Sequence, residues 1–142
     1  MKVAIANDHG GYNLKSEIVK YFEENGIDYV DFGTDSNASV DYPDFARPLS
    51  EKVAQGEFDK GILICGTGIG MSITANKVKG VRCALVHDTF SAKATREHND
   101  SNVLALGERV IGPGLALDIV KLWLNTEFEG GRHERRVNKI EE

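Results

Sequence analysis

The sequence predicts an α/β protein built on an open, doubly wound (Rossmann-like) parallel sheet of five strands. Short apolar runs rich in Val, Ile, Leu and Ala recur without clean alternation, as expected for strands that are covered on both faces. Helical patterns separate these runs, and the regular alternation of strand and helix is typical of a three-layer α/β/α fold. The five predicted strands are Lys2–Asn7, Tyr29–Gly33, Gly61–Cys65, Arg82–His87 and Asn102–Gly107.

Five helices are predicted from residues, all apolar except Glu97, that are spaced to fall on one helical face. Gly26, Gly56 and Gly80 follow the first three patterns and are expected to end those helices. The five patterns run through Leu14, Ile18, Val19 and Phe22; Phe45, Leu49 and Val53; Met71, Ile73, Ala75 and Val78; Phe90, Ala94 and Glu97; and Leu115, Ile119, Leu122 and Trp123.

The tail, residues 130–142, predicts an extra C-terminal helix with little to bury. Val137 and Ile140 are its only apolar residues. Such a polar helix gains little by packing on its own domain. We therefore expect it to contact a partner subunit or a ligand.

Length and composition indicate one soluble domain spanning residues 1–142. The net charge is −5, from 17 basic and 22 acidic residues, which argues against binding to nucleic acid or to an anionic membrane. The chain has no apolar stretch of signal-peptide or membrane-span length. Two cysteines do not make a disulfide framework, so a reducing, cytoplasmic location is expected.

The loop after the third predicted strand, Gly66-Thr67-Gly68-Ile69-Gly70, is the most informative segment. Alternate glycines allow backbone N–H groups to converge on an anion, and the next helix adds its positive end. The spacing fits neither the dinucleotide fingerprint nor a P-loop. Anion binding and a tight turn that needs glycine are both compatible with this pattern.

Cys65 closes the strand that leads into this loop. A thiol that faces N–H dipoles could act as a base or a nucleophile, although many free cysteines are only small buried hydrophobes. Cys83, early in the fourth strand, is interpreted as such a hydrophobe. If the third and fourth strands paired, the two cysteines would be ~10 Å apart, too far for a disulfide.

Asp8 and His9 follow the first strand, at the edge of the sheet where ligands bind in this architecture. They could form an acid–base pair, orient a ligand or bind a metal, or Asp8 or Asn13 could simply cap the next helix. His87 and Asp88 have a similar placement, but Asp88 is interpreted as a helix cap. No residues have metal-motif spacing, so no metal site is expected.

Arg132 and Arg136 are four residues apart and so lie on one face of the tail helix. Two guanidinium groups on one face suit a phosphate. A solvated charged face is the alternative, and the pattern alone leaves both open.

Four segments together match one family. They are Asn7-Asp8-His9-Gly10-Gly11, Asp41-Tyr42-Pro43-Asp44, Cys65-Gly66-Thr67-Gly68-Ile69-Gly70, and Arg96-Glu97-His98-Asn99-Asp100 with Asn102-Val103-Leu104. In this combination and order the chain resembles ribose-5-phosphate isomerase type B, a family that includes galactose-6-phosphate and allose-6-phosphate isomerases. The resemblance extends over nearly the whole chain, and Cys65 makes it similar to the cysteine-containing branch.

The resemblance implies an aldose–ketose isomerase in which Cys65 moves a proton between C1 and C2 of ribose 5-phosphate, through an enediolate. Thr67 assists, and Asp8 and His98 open the sugar ring. Substrate-binding roles are implied for His9, Tyr42, Gly66, Gly68, Gly70 and Asn99. Phosphate-binding roles are implied for His9, Arg109, Arg132 and Arg136.

The same resemblance implies a homodimer or tetramer, without metal or cofactor, whose active sites are shared between subunits. His98, Asn99 and Arg109 would come from the neighbour of the chain that supplies Asp8, His9 and Cys65. Two other functions remain open: an isomerase of a six-carbon sugar phosphate, and a phosphate- or nucleotide-binding sensor. A sensor gives no reason for a thiol beside the anion-binding loop.

Overall fold

The computed structural model describes residues 1–142 and confirms the predicted α/β architecture. The five strands are all parallel, in the order β2-β1-β3-β5-β4. They are β1 (Lys2–Asn7), β2 (Asp28–Asp31), β3 (Lys60–Cys65), β4 (Cys83–Leu85) and β5 (Val103–Gly107).

Helices cover both faces of the sheet and give three layers. The six helices are α1 (Tyr12–Glu24), α2 (Pro43–Ala54), α3 (Ile69–Ala75), α4 (Thr89–Asn99), α5 (Pro113–Asn125) and α6 (Arg132–Ile140). A short 3₁₀ turn, His9–Gly11, joins β1 to α1. None of these helices combines the length and apolar character that crossing a membrane would require.

The core consists of two apolar clusters, one on each face of the sheet. On one face α1, α4 and α5 pack against alternate strand residues such as Ile5, Ile64 and Leu106. On the other face α2 and α3 pack against the residues between them, including Ala6 and Cys65. The central strands are therefore buried on both sides, which explains why their sequences do not alternate.

The strand order differs from one premise of the sequence analysis. β5 lies between β3 and β4, so β3 and β4 do not pair with each other. Cys65 pairs with Gly107 and Cys83 pairs with Val103, at opposite ends of β5. Both thiols are free. β4, an edge strand, is also shorter than predicted and covers only Cys83–Leu85.

The predicted apolar faces of three helices, α3, α4 and α5, are partly wrong, and in α5 the exposed residue is Leu115. Phe90 is 81% exposed, and α4 instead buries Ala92, Thr95 and Arg96. Ile73 of α3 is also exposed. Arg96 is buried because Asp100, Ser101 and Thr126 accept hydrogen bonds from its guanidinium group, an arrangement that apolar spacing could not reveal.

The tail helix α6 docks on its own domain, contrary to the expectation that it would gain too little there. It packs against α4 and buries Val137 and His133, while Ile140 is exposed. Polar contacts supplement the small apolar area, since Arg82 forms an ion pair with Glu141 just beyond the helix.

Lys60 joins the start of β3 to the end of α5. Its ammonium group donates hydrogen bonds to the carbonyl oxygens of Trp123 and Leu124, at 3.4 and 3.3 Å. These carbonyls belong to the last turn of α5, where a cation is favourable. Burial, aided by the charge of Arg96, lowers the pKa of Lys60 to about 8.

This lowered pKa predicts a pH-dependent stability. Below about pH 8 Lys60 is charged in both the folded and the unfolded protein. Between about pH 8 and pH 10.5, the ordinary pKa of a lysine, it stays charged only in the unfolded chain. The unfolded state then binds more protons, so the free energy of unfolding should rise with pH across this window. Urea denaturation at pH 7, 9 and 10.5 should show wild type gaining stability relative to Lys60→Met. The exposed Lys20→Met is the control, and equal pH trends in the two variants would contradict the prediction.

Candidate active site

A tight turn after β3 brings backbone N–H groups to a cysteine. The Gly68 N–H donates a hydrogen bond to Cys65 Sγ at 3.1 Å, and Thr67 Oγ1 accepts one from the Ile69 N–H at 3.2 Å. Gly68 has φ of +79°, a left-handed conformation that favours glycine. The thiol is 6% exposed, so it faces the loop more than bulk water. The sulfur therefore accepts a backbone hydrogen bond from within the turn.

The turns that follow β1, β3 and β5 are in contact at the carboxyl edge of the sheet. A Cβ added to Gly10 would lie 3.0 Å from the nitrogen of Gly66, and one added to Gly107 would lie 2.7 Å from the carbonyl of Thr67. Backbone-to-backbone approach this close leaves no room for a side chain. Glycine at 10 and 107 therefore brings the three turns together.

Asp8 and His9 lie at this same edge. Asp8 is buried, and one of its carboxylate oxygens accepts the Gly10 N–H at 2.8 Å, so it caps the 3₁₀ turn. His9 Nδ1 accepts the Val40 N–H at 3.2 Å. This contact requires an unprotonated Nδ1, which leaves Nε2 as the ring's donor.

Tyr42 and Arg109 also flank the loop. The ring of Tyr42 lies over Gly70, where an added Cβ would come within 2.6 Å of it. The Arg109 N–H donates to the Gly66 carbonyl at 3.0 Å, and the arginine side chain passes beside Gly66. Arg109 thus lies next to the loop of its own chain, which differs from the expectation that it arrives there from a neighbour.

His87 and Asp88 have structural roles, as interpreted for Asp88. Asp88 caps α4 by accepting hydrogen bonds from the backbone and side chain of Ser91, and these bonds lower its pKa. His87 Nε2 accepts the Gly107 N–H at 3.0 Å, and burial lowers the pKa of this histidine. These hydrogen bonds tie the start of α4 and the end of β5 to the segment between β4 and α4.

The thiol of Cys83 differs sharply from that of Cys65 in its surroundings. Burial raises the pKa of Cys83 to about 12, which keeps the thiol protonated. The interpretation of Cys83 as a small hydrophobe agrees with this.

His98 and Asn99 lie at the amino edge of the sheet, opposite the edge where Cys65 lies. α4 begins after the carboxyl end of β4 and runs back beside the sheet, so its last residues reach the amino edge. The Asn99 carbonyl accepts a hydrogen bond from Arg82, the residue before β4. Since Cys65 is at the carboxyl edge, about a strand length, roughly 13 Å, separates the two groups along the sheet.

The tail arginines belong to this second group, because α6 packs on α4. Arg132 and Arg136 are exposed. Between them His133 turns inward and stacks on His98, with ring centroids 4.4 Å apart. Glu129 lies beside both histidines. Sequence reasoning missed Glu129 and His133, although their i, i+4 spacing before and within a helix was a usable signal.

The candidate site residues therefore form two groups in one chain. The loop group contains Asp8, His9, Tyr42, Cys65, Gly66, Thr67, Gly68, Gly70 and Arg109. The tail group contains His98, Asn99, Arg132 and Arg136.

A parallel α/β sheet with a thiol in an N–H-rich turn at its carboxyl edge has the arrangement by which proteins of the doubly wound class bind small molecules. The chain belongs to the ribose/galactose isomerase family, whose model matches residues 3–140. It is an aldose–ketose isomerase of sugar phosphates. Its fold is the fold of the family's solved structures: it superimposes on ribose-5-phosphate isomerase B of Clostridium thermocellum with a TM-score of 0.97 and 57% identity, over 99% of this chain and 95% of that one.

Two relatives match this chain over almost the whole length of both sequences. The Bacillus subtilis protein YwlF is 68% identical over 141 residues, 99% of this chain and 95% of the relative. Ribose-5-phosphate isomerase B of Escherichia coli is 50% identical over 139 residues, 98% of this chain and 93% of the relative.

The contact of Gly107 with Thr67 generates a prediction. Gly107→Ala forces the turn after β3 away from β5, since the new Cβ would overlap the Thr67 carbonyl. A displacement near 1 Å can cost about 100-fold in rate, so isomerase activity should fall by at least tenfold. Gly114→Ala is the matched control, because a Cβ there meets nothing within 4 Å. Equal activities of the two purified variants would show that the close approach of Gly107 to Thr67 is not needed for activity.

Proposed function

We propose that this protein interconverts ribose 5-phosphate and ribulose 5-phosphate, with Cys65 as the base. The observation that carries the proposal is the Cys65 thiol held against the Gly68 N–H inside a glycine turn. Aldose–ketose isomerisation needs one base beside the substrate's C1 and C2, and hydrogen-bond donors where negative charge develops on oxygen. This turn offers both within a few residues.

In the proposed reaction Cys65 removes the proton from C2 of the open-chain aldose and returns it to C1. The enediolate formed between these steps carries negative charge on its oxygens. Backbone N–H groups of Gly66 and Gly70 would stabilise that charge without reorganisation, because the turn is already formed, and the Gly68 N–H would be shared between the sulfur and an enediolate oxygen. Thr67 lies beside the thiol and assists. No step requires a metal or cofactor.

Ribose 5-phosphate is mostly a closed ring, so the ring must open before the proton moves. We assign this step to His98 and Asp8, since a histidine can donate or accept a proton near neutral pH. Asn99 contacts the sugar beside His98, and Tyr42 borders the sugar above Gly70. The proximity of Tyr42 to Gly70 supports this assignment.

The phosphate provides binding energy remote from the reacting carbons, which orients the substrate. We assign its recognition to His9, Arg109, Arg132 and Arg136. Three guanidinium groups suit phosphate oxygens because each presents a planar pair of donors. The free Nε2 donor of His9, left by the contact with Val40, fits the same task.

These assignments need two chains. Cys65 and His98 lie at opposite edges of one sheet, so they cannot serve one small sugar within a single subunit. We propose a homodimer, with tetramers as an extension, in which the loop group of one subunit faces the tail group of the other. Exposed apolar side chains around the loop, including Ile69, Leu85 and Val110, support an interface at that edge.

A six-carbon sugar phosphate is the second candidate substrate, favoured by the family's description as ribose and galactose isomerases. One more carbon changes the depth of the pocket and leaves the proton transfer unchanged. Rates with ribose 5-phosphate, allose 6-phosphate and galactose 6-phosphate, measured on one preparation, separate the candidates. A phosphate sensor without turnover would show none of these activities.

The first prediction of this mechanism concerns the base. Wild-type protein should convert ribose 5-phosphate, and Cys65→Ala should lower kcat by at least the ~10²–10⁴-fold expected for loss of a general base. Binding of the substrate, measured by calorimetry, should persist because the phosphate contacts remain. Cys83→Ala is the matched control and should keep wild-type kcat. A Cys65→Ala enzyme with most of its activity would exclude the assignment.

The second prediction tests the shared site by complementation. Cys65→Ala and His98→Ala are prepared separately, shown to be nearly inactive, then unfolded, mixed and refolded together. Random pairing gives about half heterodimers, each with one site carrying both lesions and one carrying neither. Roughly a quarter of all sites should therefore regain activity.

If Cys65 and His98 instead act from one chain, every site keeps one lesion. Activity then stays near zero even when heterodimers are shown to form by mass spectrometry. That result would reject the shared site and leave the isomerase activity standing.

A further inference from the structure

We propose that Glu129 and His133 are positioning residues that hold His98 in the orientation needed to open the sugar ring. The inference rests on the proposed function, because it gives His98 its role in ring opening. It adds two residues that lie behind His98 and act through it.

The contacts of the three side chains are specific. The rings of His98 and His133 stack with an interplanar angle of 17° and centroids 4.4 Å apart. One carboxylate oxygen of Glu129, Oε1, lies 3.4 Å from Nε2 of His133 and 3.8 Å from Nε2 of His98. One oxygen of Glu129 therefore lies near the Nε2 atom of His98 and near the Nε2 atom of His133.

Burial distinguishes the roles of the two histidines. The side chain of His98 is 46% exposed, whereas that of His133 is 11% exposed. His98 therefore presents one face outward, where a substrate could reach it, and rests its other face on His133. The stack limits rotation of the outer ring, and the Glu129 carboxylate lies beside Nε2 of both rings.

Backbone contacts hold Glu129 in place. The Glu129 N–H donates to the carbonyl of Glu97 at 3.1 Å, next to His98 in the chain. Three residues earlier, the carbonyl of Thr126 accepts a hydrogen bond from Arg96 at 3.2 Å. The segment before α6 is therefore tied to the last turn of α4 at two points.

Two glycines then direct His133 onto His98. Gly130 and Gly131 have φ of +69° and +57°, in the left-handed region that L side chains rarely adopt. A Cβ at either position would meet no neighbouring atom, so conformation and not space calls for glycine. The reversal at this pair starts α6 in a direction that stacks His133 on α4.

The same three groups could be considered as metal ligands, since their ligand atoms all lie within 4.8 Å of one another. The stacked rings argue against this. A metal lies in the plane of each imidazole that binds it, at ~2.0–2.1 Å from nitrogen for zinc. Nearly parallel planes do not meet at such a point, so a metal would have to break the stack.

Ring opening can be measured apart from proton transfer. When the ring opens, the bond between C1 and the ring oxygen breaks; the ring oxygen gains a proton and the C1 hydroxyl loses one. Ribulose 5-phosphate cannot form the corresponding ring, because its C5 oxygen carries the phosphate. Exchange of its C1 hydrogen with D₂O, followed by NMR, therefore reports the Cys65 step alone.

The test compares Glu129→Gln and His133→Gln with wild type in two assays. We expect kcat/KM for ribose 5-phosphate to fall about 10- to 100-fold, less than or near the loss from removing an acid–base group itself. Hydrogen exchange into ribulose 5-phosphate should stay within about twofold of wild type, as the Cys65 step is unaltered. Glu127→Gln, an exposed acid in the same segment, is the matched control and should match wild type in both.

Each outcome bears on the proposal. Unchanged turnover in Glu129→Gln overturns it, and so does a parallel loss of turnover and exchange, which would indicate a role in proton transfer or folding. If His133→Gln fails to fold, Glu129→Gln decides, since Glu129 is 51% exposed. A wild-type protein that neither converts ribose 5-phosphate nor exchanges the C1 hydrogen contradicts the proposed function itself.

Discussion

Close backbone approach at the carboxyl edge of the sheet is the constraint on which the site depends. The turns after β1, β3 and β5 touch through glycine, and parallel pairing sets Cys65 opposite Gly107. The register therefore does more than form a sheet: it aligns the end of β3 with a neighbour that has no side chain. The turn after β3 can then pack against β5 and keep the Gly68 N–H directed at the Cys65 sulfur.

The same topology separates the two groups of candidate site residues. In a parallel sheet each helix must return the chain to the amino edge, so residues at the end of α4 lie far from residues at the end of β3. The docking of α6 on α4 keeps the tail arginines with His98. The division of the site follows from the connection rule of the fold, and the proposed dimer is the arrangement that reunites both groups around one sugar.

Much of the fold was predictable because the central strands are buried on both faces and the glycines punctuate the helices. Gly26 and Gly56 have positive φ just after α1 and α2, where those helices were predicted to end, whereas α3 ends at Ala75, five residues before Gly80. The strand order was not predictable in the same way, since alternation of strand and helix leaves open which strands are neighbours. The exposure of Phe90 was missed because a stripe of apolar spacing does not reveal that a buried arginine occupies the inner face.

The loop group at the carboxyl edge was foreseeable from position, since the ends of parallel strands converge there. The roles implied for Cys65, His98 and the arginines came from the resemblance to a family and stay predictions. Glu129 and His133 were not identified from the sequence because neither residue alone indicates a site. Their relation to His98 depends on a reversal at Gly130 and Gly131 that brings distant segments together.

The separation of Cys65 from His98 has a consequence for how such an enzyme responds to dilution. If each complete site spans two subunits, a dissociated subunit contains every residue and no complete site. Specific activity would then follow the dimer fraction, falling as protein concentration drops below the dissociation constant. Substitutions in the interface, far from any reacting atom, would change the working concentration of the enzyme before they changed its chemistry.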